Sequence, residues 1–92
     1  MALLTDDTLQ DFLSAHGEWD REGESITRTF EFPDFVVAMG FVTSVALAAE
    51  KADHHPDIDI RWNKVTLRLS THSEGGLTDK DTHLAERIDG LL

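Results

Sequence analysis

Three short runs of this chain alternate apolar and polar residues strictly enough to dictate strands. From Ser25 to Phe32, Ile26, Phe30 and Phe32 share one parity with Arg28, while Thr27, Thr29 and Glu31 take the other. Ile58, Ile60 and Trp62 alternate with Asp57, Asp59 and Arg61; Val65, Leu67 and Leu69 alternate with Thr66, Arg68 and Ser70. Successive strand side chains point to opposite sides of a sheet, so this period marks a sheet with one buried and one wetted face. Asn63-Lys64 reads as a two-residue turn between the last two runs. It would set Trp62 against Val65, Ile60 against Leu67 and Ile58 against Leu69. A shorter extended piece begins at Trp19 and turns back through Arg21-Glu22-Gly23-Glu24 into the first run.

Helical spacing fills the intervals. Thr5 followed by Asp6 and Asp7 is a capping signal, Leu9, Phe12 and Leu13 follow at helical spacing, and Gly17 stops the turn after His16. Asp34 caps the longest helix, about Asp34 to Lys51. It carries two apolar stripes: Phe35, Met39, Val42, Ala46 and Ala49, and, about 150° round, Val37, Phe41, Ser44 and Ala48. One stripe serves a core and two predict a second partner, so a homo-oligomer that buries this helix is expected. Thr78, with Asp79 and Asp81 in the first turn, opens a last helix carrying Leu84, Ile88 and Leu91. The fold class is therefore α+β: a four-stranded antiparallel sheet with three helices on one face, in the order helix-strand-strand-helix-strand-strand-helix.

Size and charge narrow the function. Ninety-two residues are expected to make one domain spanning 1–92. Eighteen acidic against eight basic residues, a formal charge of −10, argue against direct binding to nucleic acid or anionic lipid. There is no cysteine, hence no disulfide or thiolate site. The N-terminus has no basic start or apolar run of signal length, and no stretch is read as approaching the ~18 uncharged apolar residues of a membrane span. A cytoplasmic protein is the expectation.

Ionisable chemistry is densest from Glu50 to Pro56, Glu-Lys-Ala-Asp-His-His-Pro. Imidazole has the ordinary pKa closest to neutrality, so it both gives and takes protons. Adjacent side chains diverge on a regular helix or strand, but Pro56 holds His55 extended, so His54 and His55 sit at a helix-to-strand break that can aim both rings into one cleft. His72 lies one strand further on, with the parity of the polar face if the strand runs that far. A three-histidine zinc site with Glu50 or Asp53 nearby is one use of these residues and shared proton transfer another. The His-Glu-x-x-His spacing is absent, and no metal is assigned. No Gly-x-Ser-x-Gly elbow or phosphate-cradling loop occurs. Plainer roles stand beside these: Asp81 as a capping-box carboxylate, Asp53 closing its helix, His16 in a last turn, His83 exposed on the last helix, Lys51 and Lys80 solvated. Glu50 is the odd member, a carboxylate at a helix C-terminus, where the dipole disfavours it.

Taken together, Glu50-Lys51-x-Asp53-His54-His55-Pro56, Trp62-Asn63-Lys64-Val65, Ser70-Thr71-His72 and Gly76-Leu77-Thr78…Asp81 closely resemble the pterin-4a-carbinolamine dehydratases, from Trp19 into the last helix. The resemblance implies a small α+β fold assembling as a homodimer or homotetramer through sheet edge and long helix. It implies loss of water from a 4a-hydroxytetrahydropterin to give the quinonoid dihydropterin, in tetrahydropterin recycling, with no metal and no cofactor. Under it His54 and His72 are the principal acid/base pair, His55 orients substrate and assists, Glu50 and Asp53 tune the imidazoles or hold the amino-pyrimidine edge, and Asp81 supports. Trp62 stands where many members have tyrosine, keeping an aromatic wall without a hydroxyl, and Lys80 where some have arginine, giving up a planar fork. The competing expectation is a non-catalytic interaction protein on the same fold, a dimerisation cofactor or assembly factor; three surviving histidines favour chemistry.

Overall fold

The computed structural model describes residues 2–92. Helix α1 (Asp6–Ala15) is followed by β1 (Asp20–Glu22), β2 (Ser25–Glu31), α2 (Phe35–Ala52), β3 (Asp57–Arg61), β4 (Lys64–Leu69), one 3-10 turn (His72–Glu74) and α3 (Asp79–Asp89). The strands form one antiparallel sheet in the order β1-β2-β4-β3, the α+β arrangement that the alternation implies. The expected caps close the helices: Thr5 Oγ1 accepts the Thr8 N–H at 3.1 Å and Asp34 Oδ1 the Val37 N–H at 2.9 Å.

The register sets Ile26 beside Leu69, Phe30 beside Val65, Ile58 beside Leu67 and Ile60 beside Val65, so one face of the sheet is apolar. Leu9 and Phe12 of α1, Ala38, Phe41 and Val45 of α2, and Leu84 and Ile88 of α3 join it in one buried cluster. Arg28 shares this face and does not sit in it as a bare charge. Its NH1 donates to Asp89 Oδ1 at 2.8 Å, its guanidinium lies 4.4 Å from the Phe30 ring centre, and the Trp19 Nε1–H reaches the same carboxylate at 2.9 Å. The outer face is polar. There Glu22 accepts from the Thr27 hydroxyl and then from Arg68, contacts that hold its carboxyl below the usual range. They are made at neutral pH and lost as the pH falls through that carboxyl's titration.

Four local expectations are corrected. The β3–β4 turn is Trp62-Asn63, not Asn63-Lys64: Arg61 pairs with Lys64, Ile60 with Val65 and Ile58 with Leu67. Trp62, at the first turn position, takes a left-handed φ of 54°, and Asn63, at the second, is tied to Phe32, its Nδ2 donating to the Phe32 carbonyl at 2.8 Å and its own carbonyl accepting the Phe32 N–H at 2.9 Å. His72 lies on no strand; β4 ends at Leu69 and His72 opens the 3-10 turn. The inner side of α2 is centred on Ala38 and Val45, between the two stripes. Phe41 and Ala48 of the second stripe are buried, whereas of the first only Ala49 is. Finally, α2 does have the length and apolarity of a membrane span, 18 residues with mean hydropathy 1.5, since its charges, Glu50 and Lys51, fall in the last turn. Its inner side is packed in the core instead.

The face assignment has a direct test in urea unfolding. Leu67→Ala, at a fully buried inner position, is expected to lower stability by about 2–5 kcal/mol. Thr66→Ala, next door on the outer face and losing only the Thr29 hydroxyl contact, is expected to cost about 1 kcal/mol or less.

Candidate active site

The end of α2 is built to split the adjacent histidines. Asp53 adopts the left-handed conformation (φ 50°, ψ 43°), one that Asp tolerates better than most residues, and closes the helix with its N–H on the Ala49 and Glu50 carbonyls. The His54 N–H bonds the Ala49 carbonyl at 3.1 Å. The reversal turns the His54 side chain inward, to 10% exposure, and leaves His55 outside at 56%.

His54 Nε2 meets Asp81 Oδ1 at 2.5 Å. Asp81 is fully buried, and its Oδ2 accepts the Thr71 hydroxyl at 2.7 Å and the Thr78 N–H at 3.0 Å. The Thr78 hydroxyl lies 2.8 Å from Thr71 Oγ1 and accepts the Lys80 N–H, so it donates to Thr71, which donates to Asp81. With its Oδ2 held by two donors and no proton of its own to give, the Asp81 carboxylate takes the Nε2–H of His54 at Oδ1. That fixes the ring's tautomer and leaves Nδ1 with a free lone pair. The capping box expected of Thr78 and Asp81 is present, and the same carboxylate orients His54.

His55 Nε2 meets Glu50 Oε1 at 2.5 Å, on the exposed side of the break. This is the partner that the ill-placed Glu50 called for; it compensates a carboxylate at a helix C-terminus. His72 extends from the 3-10 turn, which a Thr71–Gly76 bridge closes and Gly75, at φ 76°, completes. Its ring has no hydrogen-bond partner among the described residues, and neither has the Asp53 carboxylate.

These groups meet. His54, His55 and His72 line one cleft of about 330 Å³ together with Asp53, Ser70, Thr71, Ser73 and Lys80. The volume is at the small end of ligand sites and suits a bicyclic molecule. Among the described residues no three His, Asp or Glu side chains are gathered as a metal ion would need. Three expected site residues stand outside the wall: Glu50 lies behind His55 on the exposed side of the break, Asp81 lies behind His54, and Trp62 lies at the far end of β3 from His55, 68% exposed. Trp62 is separated from the histidines because the five-residue strand intervenes. Thr71 and Lys80 were not among the expected site residues. The Thr next to His72 and the Lys next to Asp81 were the signals for them.

The family model described as pterin 4 alpha carbinolamine dehydratase matches residues 2–91. The chain belongs to that family. A protein of Roseiflexus castenholzii provisionally named as such a dehydratase is 53% identical over 91 residues, covering 99% of this chain and 98% of the relative. One of Mycobacteroides abscessus with the same provisional name is 55% identical over 89 residues, covering 97% and 95%. Among solved structures, a Brucella melitensis protein described as a transcriptional coactivator/pterin dehydratase superposes with a TM-score of 0.93 at 39% identity, covering 98% of each chain. A pterin dehydratase-like protein described as a RuBisCO assembly factor in the alpha-carboxysome superposes at 0.71 over 83% of this chain and 90% of its own. At 23% identity it shares the fold alone.

Asp81→Asn replaces one acceptor by a donor inside a ring of donors. The variant is expected to lose about 1–3 kcal/mol of stability, and the His54 ring to move from the Nε2–H to the Nδ1–H tautomer in its 15N spectrum. An unchanged tautomer and unchanged stability would contradict the network.

Proposed function

We propose that the protein dehydrates 4a-hydroxytetrahydrobiopterin or a close analogue to the quinonoid dihydropterin, in tetrahydropterin recycling in the cytoplasm. The observation that carries this reading is the meeting of His54, His55 and His72 in one cleft of a size suited to a pterin. Membership of the dehydratase family supports it.

The chemistry asks for little else. The 4a-hydroxyl leaves as water once an acid protonates it, N5 supplies the electron pair that forms its double bond to C4a, and a base takes the proton that the ring then loses. Imidazoles carry out both transfers with no cofactor. His54, held by Asp81 and presenting Nδ1, is suited to the base role. His72, which lines the cleft with no partner among the described residues, is suited to meet the leaving hydroxyl, and His55, tied to Glu50, to orient the ring. Asp53 is the cleft carboxylate without a partner among the described residues, which fits it to hold the amino-pyrimidine edge. Trp62, away from this cleft, has no part in it within one chain.

Purified protein is expected to speed the decay of synthetic 4a-hydroxytetrahydropterin. His54→Ala or His72→Ala should lower the rate by roughly 10²-fold or less, since the spontaneous reaction and the remaining acids compensate. No acceleration by correctly folded protein would end this reading.

A specific observation favours an interaction role beside the chemistry or in place of it. The outer side of α2 leaves Phe35, Val36, Val37 and Leu47 exposed at 49, 77, 45 and 70%. At the sheet edge β3 leaves Ile58 at 38%. Apolar surface of this extent calls for cover, and a second copy of the chain through the long helix or the sheet edge is the cover proposed. Sedimentation in dilute solution is expected to give a dimer or tetramer, and Leu47→Glu with Val36→Glu to reduce its size. A clean monomer of the unaltered protein would refute the assembly. Stoichiometric capture of one foreign partner without pterin turnover would favour the non-catalytic role.

A further inference from the structure

The cations of this acidic chain divide into two groups. Arg21, Arg28, Arg61, Lys64 and Arg68 each pair with a carboxylate at 2.8–3.8 Å. The remaining three, Lys51, Lys80 and Arg87, have no acidic partner among the described residues. All three line one cleft between α2 and α3, of about 310 Å³, together with His83. The exclusion is written into the sequence. Despite 18 acidic residues in the chain, the positions three and four away from each of these cations hold only Leu, Ala, Gly or His. Those are the positions from which a helix would ordinarily supply an ion-pair partner. Lys80 also stands in the first turn of α3, where the helix dipole disfavours a cation. The floor between the charges is apolar, made by Ala48, Ala52 and Leu84.

This cationic cleft adjoins the histidine cleft, because His54 and Lys80 line both. We infer that it receives an anionic group carried on the C6 substituent of the pterin, so that the substrate class is a pterin whose side chain ends in a carboxylate or a phosphate. The inference rests on the pterin reading of the histidine cleft and narrows it, from the biopterin derivative with its neutral C6 group to the analogues that carry an anion there. A neutral side chain would leave three cations gathered without compensation, whereas an apolar spacer on the floor with an anion among Lys51, Lys80 and Arg87 answers both features of the cleft.

The test uses stable oxidised pterins and their intrinsic fluorescence, with the full-length protein. Three probes differ only at C6: a neutral dihydroxypropyl group, its phosphate ester, and a methylene-linked 4-aminobenzoate. At low salt both anionic probes are expected to bind about tenfold more tightly than the neutral one, the advantage shrinking as salt shortens the screening length. Whichever anionic probe binds more tightly names the terminal group. In K51Q/R87Q the advantage should vanish, and in K51R/R87K it should remain, with unfolding curves showing both variants folded. Equal binding of neutral and anionic probes, or an advantage that survives K51Q/R87Q, overturns the inference while leaving the pterin reading in place. Failure of every probe to bind overturns both.

Discussion

The site depends on one buried carboxylate. Asp81 has no solvent exposure, and it joins three parts of the chain: the end of α2 through His54, the segment after β4 through Thr71, and the start of α3 through Thr78. A buried charge is tolerated only when its lone pairs are met by donors, so each of these contacts is a condition for the others. Satisfying the helix cap and orienting the imidazole are thus one structural act. Stability and site geometry are bound together here.

A second carboxylate works in a similar way at the other end of α3. Asp89 gathers Trp19, Arg28 and His16, which allows an arginine to occupy the apolar face of the sheet. Between these two anchors, α3 is held against the sheet and α2, and its Lys80–Arg87 side lines the cationic cleft. The acidic excess of the chain is consequently uneven. Among the described residues, carboxylates pair with five of the cations and with none of the three beside the histidines.

Most of the fold was legible because it rests on periodicity. Alternation over Ser25–Phe32 and Val65–Leu69 fixed which side chains face the core, and Thr5, Asp34 and Thr78 announced the helix starts. The β3–β4 register was not legible, because it depends on Asn63 reaching the distant Phe32 carbonyl, with Trp62 in the left-handed turn position. Slipping the pairing by two residues preserves the faces, so the apolar pattern could not reveal it. The Arg28–Asp89 contact spans 61 positions and had no local signal. At the site, the break at Asp53–Pro56 was readable from proline and the helix end. The sharing of Asp81 between a cap and an imidazole was not, since spacing alone gives the cap a sufficient reason.

The central claim is that three histidines from two segments address one bound pterin. Its most direct measurement is a titration with a neutral, unreactive 7,8-dihydropterin followed through the histidine ring resonances. The account predicts that His54, His55 and His72 shift along one binding curve while His16, stacked on Phe12 beyond the cleft, stays unmoved. Saturating pterin that leaves those three rings unshifted, or that moves His16 as much as them, would contradict it.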